Sequence, residues 1–265
     1  MTRFHPLRVA EIRRETPDSV SILFDLPEAL RETFAFRPGQ YLTLRTMIDG
    51  EEIRRSYSIC AAPEDGILRV GVKKVAGGAF STFANENLKP GDAVEAMPPE
   101  GRFTPRKAHA REVLCIAAGS GITPILSIVK TLLARDKNVA ITLVYGNRTT
   151  GSVMFAEEIE DLKNRYLGRL SVLHVLSREA LDSPLLHGRI TGERLRALAD
   201  GAIDIKRIDE AFICGPEGMV ADAKATLAGL GVPVRRSTSN SSLPPRRARR
   251  SGRRRARRLT PCWPV

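Results

Sequence analysis

Apolar and polar residues alternate over residues 1–104 with the period of two that is typical of β-strands. In the stretch SVSILFDL, the apolar residues Val20, Ile22 and Phe24 fall on one face, and QYLTLRT and GILRVGVKK alternate in the same way. Turn-forming pairs separate these stretches at Pro38-Gly39, Asp49-Gly50, Asp65-Gly66 and Pro90-Gly91. Short strands about 8–15 residues apart predict a closed antiparallel sheet or barrel, interrupted by one short helix over 79–86.

Beyond residue 111 the pattern changes to continuous apolar runs that alternate with helical periodicity. We predict strands over 113–117, 140–145, 170–175 and 211–214, and helices over 124–134, 155–165, 191–198 and 216–230. Strands that alternate with helices in this way form a parallel sheet with right-handed crossovers and helices on both faces. The expected fold is an antiparallel Greek-key β-barrel domain, residues 1–106, followed by a doubly wound parallel-sheet α/β domain, residues 107–234.

The net charge of +12 is concentrated in residues 235–265, which contain 11 arginines and no acidic residue. The remaining 31 basic and 30 acidic residues nearly cancel, so the body of the chain shows no electrostatic preference for a polyanion. We expect the Arg/Pro-rich tail to be disordered. It is either a basic arm for nucleic acid or anionic membrane, or a non-native ending read out of frame from GC-rich DNA, and we favour the second interpretation.

Cysteine and histidine are scattered, with four of each in the chain and no metal-ligand or C-x-x-C spacing. We therefore expect no metal site and no disulfide framework, which fits a reducing compartment. No run of about 20 apolar residues and no signal-peptide pattern is present. The sequence predicts a soluble, cytoplasmic protein without a membrane segment.

Three short stretches carry candidate chemistry. In LCIAAGSGITP, Gly119 and Gly121 follow the first predicted parallel strand and permit a tight turn that approaches a bulky ligand closely. In RRSYSI, Arg55 and Tyr57 share one face of a strand, where a guanidinium suits a phosphate and a phenol suits a flat ring. In GGAFST, residues 77–82 offer backbone N–H groups to a pyrophosphate at a helix start. Each stretch alone is also explained by an ordinary turn or strand.

Five motifs occur in a fixed order: R-x-Y-S at 55–58, G-G-x-x-S-T at 77–82, G-S-G-I-T-P at 119–124, Y-G-N-R at 145–148 and C-G-P-x-x-M at 214–219. With these motifs the chain resembles the ferredoxin–NADP reductase superfamily over about residues 5–233. Within that superfamily it is most similar to the reductase components of phenylacetyl-CoA epoxygenases. The resemblance implies an NAD(P)H-dependent flavoprotein reductase, with a barrel that binds FAD and an α/β domain that binds the dinucleotide.

The resemblance also implies roles for individual residues in binding FAD. Arg55 would bind the FAD pyrophosphate, Tyr57 would stack on the flavin and Ser58 would hydrogen-bond near flavin N5. The phosphate site of FAD would be lined by Gly78, Phe80, Ser81 and Thr82.

For the dinucleotide, the resemblance implies that the turn with Gly119, Gly121 and Thr123 holds the nicotinamide end. Cys214, Gly215 and Met219 would close the nicotinamide pocket, and Tyr57, Ser58 and Cys214 are the residues expected at the reacting rings. Arg148, Ser177 and Arg178 would bind the 2′-phosphate of NADPH. NADH remains an alternative, because the acidic Glu179 follows directly.

The electron acceptor implied by the resemblance is a partner protein, either an oxygenase component or a ferredoxin. Relatives of this kind carry a plant-type [2Fe–2S] domain after the α/β domain, and its cluster needs C-x₄-C-x₂-C with a distant fourth cysteine. After Cys214 this sequence contains only Cys262, so we expect no 2Fe-2S cluster in this chain. The basic tail also starts where the last strand of the parallel sheet is expected, near 232–234.

Two alternatives stay open from the sequence. A free-standing flavin or ferredoxin reductase would act on a separate carrier. A nucleic-acid-binding protein would act through its arginine-rich tail, and that interpretation depends on one compositional run rather than on five motifs.

Overall fold

The computed structural model describes residues 3–105, 110–181 and 183–232. The expected domain boundary at 106/107 and the Arg/Pro-rich tail, 235–265, lie outside these residues, and both stay predictions. Among the described residues, none of the helices combines the length and the apolar character that crossing a bilayer requires.

The first half of the described chain is an antiparallel barrel. Its elements are β1 (His5–Thr16), β2 (Ser19–Asp25), β3 (Tyr41–Ile48), β4 (Glu51–Ser58), β5 (Leu68–Lys73), α1 (Ala79–Glu86) and β6 (Ala93–Ala96). The strands follow the order β4-β3-β6-β1-β2-β5. A bridge between Ile59 and Val70 joins the two ends of this order and closes the barrel. The predicted short helix over 79–86 is confirmed with these bounds.

Successive residues of β5 alternate between the barrel core and the contact with the second half of the chain. Leu68, Val70 and Val72 are buried in the barrel core. The residues between them, Arg69 and Gly71, point outward and contact the second half of the chain. Because successive side chains of a strand lie on opposite faces, one strand thus serves both the core and the contact between the two halves.

The second half of the described chain is a parallel α/β unit. Its elements are β7 (Glu112–Ala118), α2 (Ile122–Arg135), β8 (Ala140–Asn147), α3 (Ala156–Arg165), β9 (Leu170–Leu176), α4 (Gly192–Gly201), β10 (Glu210–Cys214) and α5 (Glu217–Gly229). The strand order is β10-β7-β8-β9, with all pairs parallel. Helices α2 and α3 pack in the apolar cluster on one face of the sheet, and α4 and α5 pack in the cluster on the other.

All eight predicted strands and helices of this half are confirmed, with ends that differ from the prediction by at most three residues. The largest difference in interpretation concerns Pro124. The helix begins at Ile122 rather than at the proline, because a 3-10 turn over Gly119–Gly121 leads directly into it. At the other side of the sheet, β10 pairs only with β7 within the described residues. The expected last strand, near 232–234, falls almost wholly on residues outside that range.

Candidate functional site

The glycine turn after β7 is packed backbone to backbone against the end of β10. Gly119 has a φ of +53°, a conformation that favours glycine. An added Cβ at Gly121 would lie 2.2 Å from the carbonyl oxygen of Cys214, so only glycine fits there. Thr123 Oγ1 donates a hydrogen bond of 2.9 Å to the Ser120 carbonyl and so holds the first turn of α2 on the glycine turn.

The start of α5 packs against the same turn. An added Cβ at Gly215 would lie 2.6 Å from Met219 Cε and 3.2 Å from Ala118 Cβ. The structure therefore brings Cys214, Gly215 and Met219 together with the 119–123 turn; that they close one nicotinamide pocket stays a prediction from the resemblance. Burial raises the pKa of the Cys214 thiol to about 12, so this thiol is neutral at ordinary pH.

Tyr145, on β8, hydrogen-bonds the glycine turn through its hydroxyl, a contact that the sequence did not predict. Its ring is fully buried, and its single O–H is shared between the carbonyl of Gly119 at 3.2 Å and that of Met154 at 3.5 Å. Burial also raises the pKa of the Tyr145 phenol. The available signal was a tyrosine in a buried parallel strand, since a buried phenol needs a hydrogen-bond partner.

On the barrel side, the candidate residues lie at the end of β4. The Ile59–Val70 bridge lies directly after β4, and the next positions along the two strands are Ser58 and Gly71. The Tyr57 ring packs on Phe80 with centroids 5.2 Å apart, and burial raises the pKa of the Tyr57 phenol. Arg55 lies two residues before Tyr57 on the same face, and its guanidinium donates to the neighbouring backbone carbonyl of residue 54 at 2.6 Å.

The loop before α1 is shaped by its own hydrogen bonds. Ser81 Oγ accepts from the Val75 N–H and donates to the Gly78 carbonyl, both at 3.1 Å. Phe80 is buried in the barrel core beneath Tyr57. The hydroxyl of Ser81 and the ring of Phe80 thus hold this loop in place, and the groups at the helix start that remain half-exposed are Gly78 and Thr82.

The loops after β8 and β9 are joined by backbone hydrogen bonds. The N–H of Ser177 donates to the Asn147 carbonyl at 3.0 Å, and the N–H of Arg178 donates to the Arg148 carbonyl at 2.8 Å. The side chains of Arg148 and Arg178 are exposed, and no ion pair among the described residues engages either guanidinium. The backbones of Arg148 and Arg178 are therefore held together just after the carboxyl ends of β8 and β9, and the charge of Arg148 also acts on Asp18 in the turn between β1 and β2.

Glu179 is tied to the loop after β8. Its carboxylate accepts the backbone N–H of Thr150 and the Thr150 hydroxyl, both at 2.7 Å. These two bonds, the backbone one first, hold the pKa of Glu179 below its usual range. Glu179, which left NADH open as an alternative in the sequence, is therefore ionised, and its carboxylate is hydrogen-bonded to Thr150.

The two groups of candidate residues meet across Gly71. An added Cβ at this position would lie 2.5 Å from Thr123 Cγ2, so the barrel strand touches the helix turn that follows the glycine motif. The residues at the end of β4 and those at the carboxyl edge of the sheet therefore lie on either side of one contact between the barrel and the α/β unit. We call this contact, where Gly71 meets Thr123, the seam. A closed antiparallel barrel beside the ligand-binding edge of a parallel sheet is the architecture of flavin- and nicotinamide-dependent oxidoreductases.

The comparisons with known protein families agree with this class. The Oxidoreductase FAD-binding domain matches residues 6–104, and the Oxidoreductase NAD-binding domain matches residues 115–225. The chain belongs to the ferredoxin–NADP reductase family. The predicted fold, the FAD-binding and NAD-binding domains and the family are thereby confirmed.

Relatives with assigned functions include reductase components. The chain is 48% identical over 235 residues to one of the subunits of the 1,2-phenylacetyl-CoA epoxidase of Escherichia coli K12, a match that covers 88% of this chain and 66% of that protein. It is 38% identical to the 3-ketosteroid-9-alpha-monooxygenase ferredoxin reductase component of Rhodococcus rhodochrous, with 86% and 62% covered. The chain thus spans about two thirds of the length of these curated relatives.

Solved structures show the same fold. A ferredoxin NADP+ reductase from Neisseria gonorrhoeae with bound FAD and NADP superposes with a TM-score of 0.75 at 21% identity, covering 90% of this chain and 96% of that one. The FAD/NAD binding domain of a nitric oxide dioxygenase from Vibrio cholerae superposes with a TM-score of 0.73 at 26% identity, covering 86% and 93%.

Proposed function

We propose that this protein is an FAD-dependent reductase that oxidises NADPH and passes the electrons singly to a separate protein. The observation that carries the proposal is the seam at Gly71, where the end of β4 and the glycine turn after β7 come together. When bound, FAD would supply the redox chemistry: it would accept a hydride from NADPH and pass on the two electrons one at a time, with the proton of the hydride released to solvent. The protein's own residues bind, align and shield the two rings.

The barrel residues fit the parts of FAD. Arg55 is half-exposed on the strand face that it shares with Tyr57, so its fork is available to a pyrophosphate while the phenol ring offers a flat surface. Ser58 follows at the edge of the seam, within one residue of the bridge that closes the barrel. The start of α1, with Gly78 and Thr82, offers backbone N–H groups and a hydroxyl to the phosphates, and Phe80 and Ser81 hold this helix start in place.

The parallel sheet offers the complementary groups for the dinucleotide. Gly119 and Gly121 bring the backbone close to the seam, and Thr123 faces the barrel there. Cys214 and Gly215 form the opposite wall, which Met219 supports. The neutral, buried thiol of Cys214 acts by shape, because a group with a pKa of about 12 exchanges no proton at ordinary pH.

NADPH is the proposed dinucleotide because the two loops after β8 and β9 carry the exposed arginines Arg148 and Arg178, which suit a 2′-phosphate. Neither Arg148 nor Arg178 forms an ion pair within 4 Å in the part of the chain that the structure describes, and Ser177 directly follows β9, where its N–H bonds the Asn147 carbonyl. An acid that selects NADH does so by accepting the ribose 2′-hydroxyl. Here both oxygens of Glu179 accept from Thr150 instead.

The proposed acceptor is an oxygenase component or a ferredoxin, and the 48% identical relative is part of a phenylacetyl-CoA epoxidase. A function in phenylacetate degradation, with electrons delivered to an epoxygenase, is therefore the specific proposal. A free-standing flavin or ferredoxin reductase is the second candidate, because the FAD-binding and NAD-binding domains that such a reductase needs are both present in the chain.

The experiment is a comparison of NADPH and NADH in the purified full chain supplied with FAD. We expect Arg178→Ala and Arg148→Ala each to lower kcat/KM for NADPH with ferricyanide by about tenfold or more, the value of one charge-assisted hydrogen bond. The kcat/KM for NADH should change by less than about twofold, because NADH lacks the phosphate.

Arg165→Ala removes the same charge from an exposed position in the last turn of α3, at the opposite edge of the sheet, and is the matched control. Equal losses with both dinucleotides, or equal losses in the control, would show that these arginines do not read the 2′-phosphate. An absence of NAD(P)H oxidation in the FAD-loaded wild type would refute the reductase function itself.

A further inference from the structure

The outward face of β5 forms the barrel side of the seam, and Gly71 lies at its centre. We propose that Gly71 is a positioning residue that sets the distance between the flavin-binding and nicotinamide-binding halves, while an ion-pair cluster holds the two halves closed on it. This inference rests on the proposed reductase function and extends it to a residue outside the five sequence motifs.

The requirement for glycine at this position is one of space. Gly71 does not have a positive φ, so its backbone conformation would accept any residue. An added Cβ would lie 2.5 Å from Thr123 Cγ2, 3.2 Å from Phe155 Cζ and 3.4 Å from Met154 Cε. A real Cβ does not approach another carbon to 2.5 Å, so any side chain here must push the two halves apart or displace Thr123.

The atoms that face Gly71 are held in place. Thr123 is tied to the glycine turn by its hydrogen bond to the Ser120 carbonyl. Phe155 is buried and has a φ of +58° at the start of α3, an unusual conformation for a bulky residue. Met154 is fully buried, and its carbonyl accepts from Tyr145. Since none of the three side chains can move freely, this contact limits how closely the barrel and the α/β half can approach each other.

Four charged residues connect the two halves beside the contact at Gly71. We call them the seam cluster: Asp65, Arg69, Lys130 and Glu158. Arg69 and Asp65 belong to the barrel, and Lys130 and Glu158 belong to α2 and α3. Lys130 Nζ lies 2.6 Å from an Asp65 oxygen and 2.7 Å from a Glu158 oxygen, and Arg69 contacts Glu158 at 2.6 Å. Their side chains are only 14–25% exposed.

The seam cluster is reinforced by uncharged contacts. The Arg69 guanidinium lies 5.3 Å from the centre of the Phe155 ring. The buried hydroxyl of Ser127, on α2, donates to the Ala61 carbonyl of the barrel at 2.6 Å. The cluster therefore stabilises the packing of α2 and α3 against β5. Because Gly71 has no side chain, these helices can approach the strand more closely than any other residue type would allow. Because hydride transfer needs the reacting atoms in near contact, this distance governs its rate.

The experiment compares Gly71→Ala with the wild type, both loaded with FAD, in anaerobic single-turnover reduction by NADPH and by NADPH deuterated at the transferred position. A displacement of about 1 Å costs on the order of 10²-fold in rate. We expect the flavin of Gly71→Ala to be reduced about 10- to 100-fold more slowly, with an isotope effect that depends more steeply on temperature than in the wild type. FAD affinity should stay within about twofold, because Gly71 faces Thr123 rather than the barrel core.

Two further variants complete the design. Thr123→Ser keeps the hydroxyl that bonds Ser120 but removes Cγ2, so Gly71→Ala/Thr123→Ser should recover at least about tenfold in rate relative to Gly71→Ala. Gly201→Ala adds a methyl at an open position and should reduce at the wild-type rate.

A wild-type rate in Gly71→Ala, or a double variant no faster than Gly71→Ala, would overturn the proposal. If Gly71→Ala does not fold, the Thr123→Ser single variant decides, because loosening the contact should steepen the temperature dependence of the isotope effect. An unchanged dependence would overturn the proposal. Failure of the wild type to be reduced at all would instead refute the proposed function.

Discussion

Cys214 shows how a residue in a reactive setting is kept unreactive. It ends a strand at the proposed nicotinamide pocket, yet burial in that wall raises the pKa of its thiol to about 12. Burial also raises the pKa of Cys60 to about 12; this residue follows β4 and packs in the apolar cluster that contains α2. Since only the thiolate is a strong nucleophile, both side chains contribute packing rather than redox chemistry.

We therefore expect Cys60 and Cys214 to resist iodoacetamide at pH 8 in the native protein. The thiolate fraction at a pKa of about 12 is some 10³-fold below that of a free cysteine, so alkylation should be slower by about 10²-fold or more than in the urea-unfolded chain. Peptide mass spectrometry over time measures each cysteine separately. Rapid native labelling of Cys214 would contradict a closed, neutral thiol.

Tyr145 is the second residue whose effect we expect to be measurable. Tyr145→Phe keeps the ring but removes the donor to the Gly119 and Met154 carbonyls. The expected loss in the free energy of unfolding is about 0.5–1.5 kcal/mol, the net value of a buried neutral hydrogen bond. KM for NADPH should rise with little change in FAD affinity, because the turn rather than the barrel loses support. Urea unfolding and dinucleotide titration check this, and an FAD defect would contradict it.

At the scale of elements, periodicity was sufficient for the fold. The strands of the barrel and the alternating strands and helices of the sheet follow from local apolar patterns, because each element must bury one face. Contacts between distant elements were not readable in this way. The Thr150–Glu179 bonds join two loops, and Gly71 meets Thr123 across the seam, so their partners are decided by the tertiary fold. Gly71 in the sequence is simply one glycine in a strand.

The loops after β8 and β9 lead to an expectation about pH. Hydrogen bonds from Thr150 lower the pKa of Glu179, so the ionised carboxylate binds the folded loop better than the protonated one. This contribution to stability is complete above the unfolded pKa of about 4.3 and is lost as the pH falls through the lower folded value.

Glu179→Gln should therefore be less stable than the wild type at pH 7, and the difference should shrink as the pH falls below about 4. Urea unfolding at both pH values measures it. The matched variant Thr150→Val removes only the hydroxyl donor and should show a smaller difference with the same pH trend. A difference that grows on acidification would contradict the assigned bonds.

At the scale of the whole molecule, the seam cluster makes the two halves depend on each other. Glu158→Gln removes the carboxylate partner of Arg69, while Lys130 keeps its ion pair with Asp65, at a place where these side chains are largely buried. We expect a loss of about 1–3 kcal/mol in the free energy of unfolding, since one partner of a buried pair is removed. The matched control is Glu157→Gln, whose ion pair with Arg13 is mostly exposed and should cost at most about 0.5 kcal/mol.

Calorimetry separates the two outcomes for this cluster. Glu158→Gln should lower the melting temperature and, if the seam opens first, split the transition into two. Arg69→Met combined with Glu158→Leu should recover part of the loss, because no unpaired charge is then left at that contact. Equal effects of Glu157→Gln and Glu158→Gln would contradict a special role for the cluster.

The central claim is that one seam brings a flavin and a reduced nicotinamide together. Its most direct test is the visible absorption of the purified chain, supplied with FAD, before and after anaerobic addition of NADPH. The account predicts a protein-bound flavin spectrum that bleaches on mixing, faster with NADPH than with NADH. A chain that stays colourless after incubation with FAD, or a bound flavin that NADPH leaves oxidised, would contradict it.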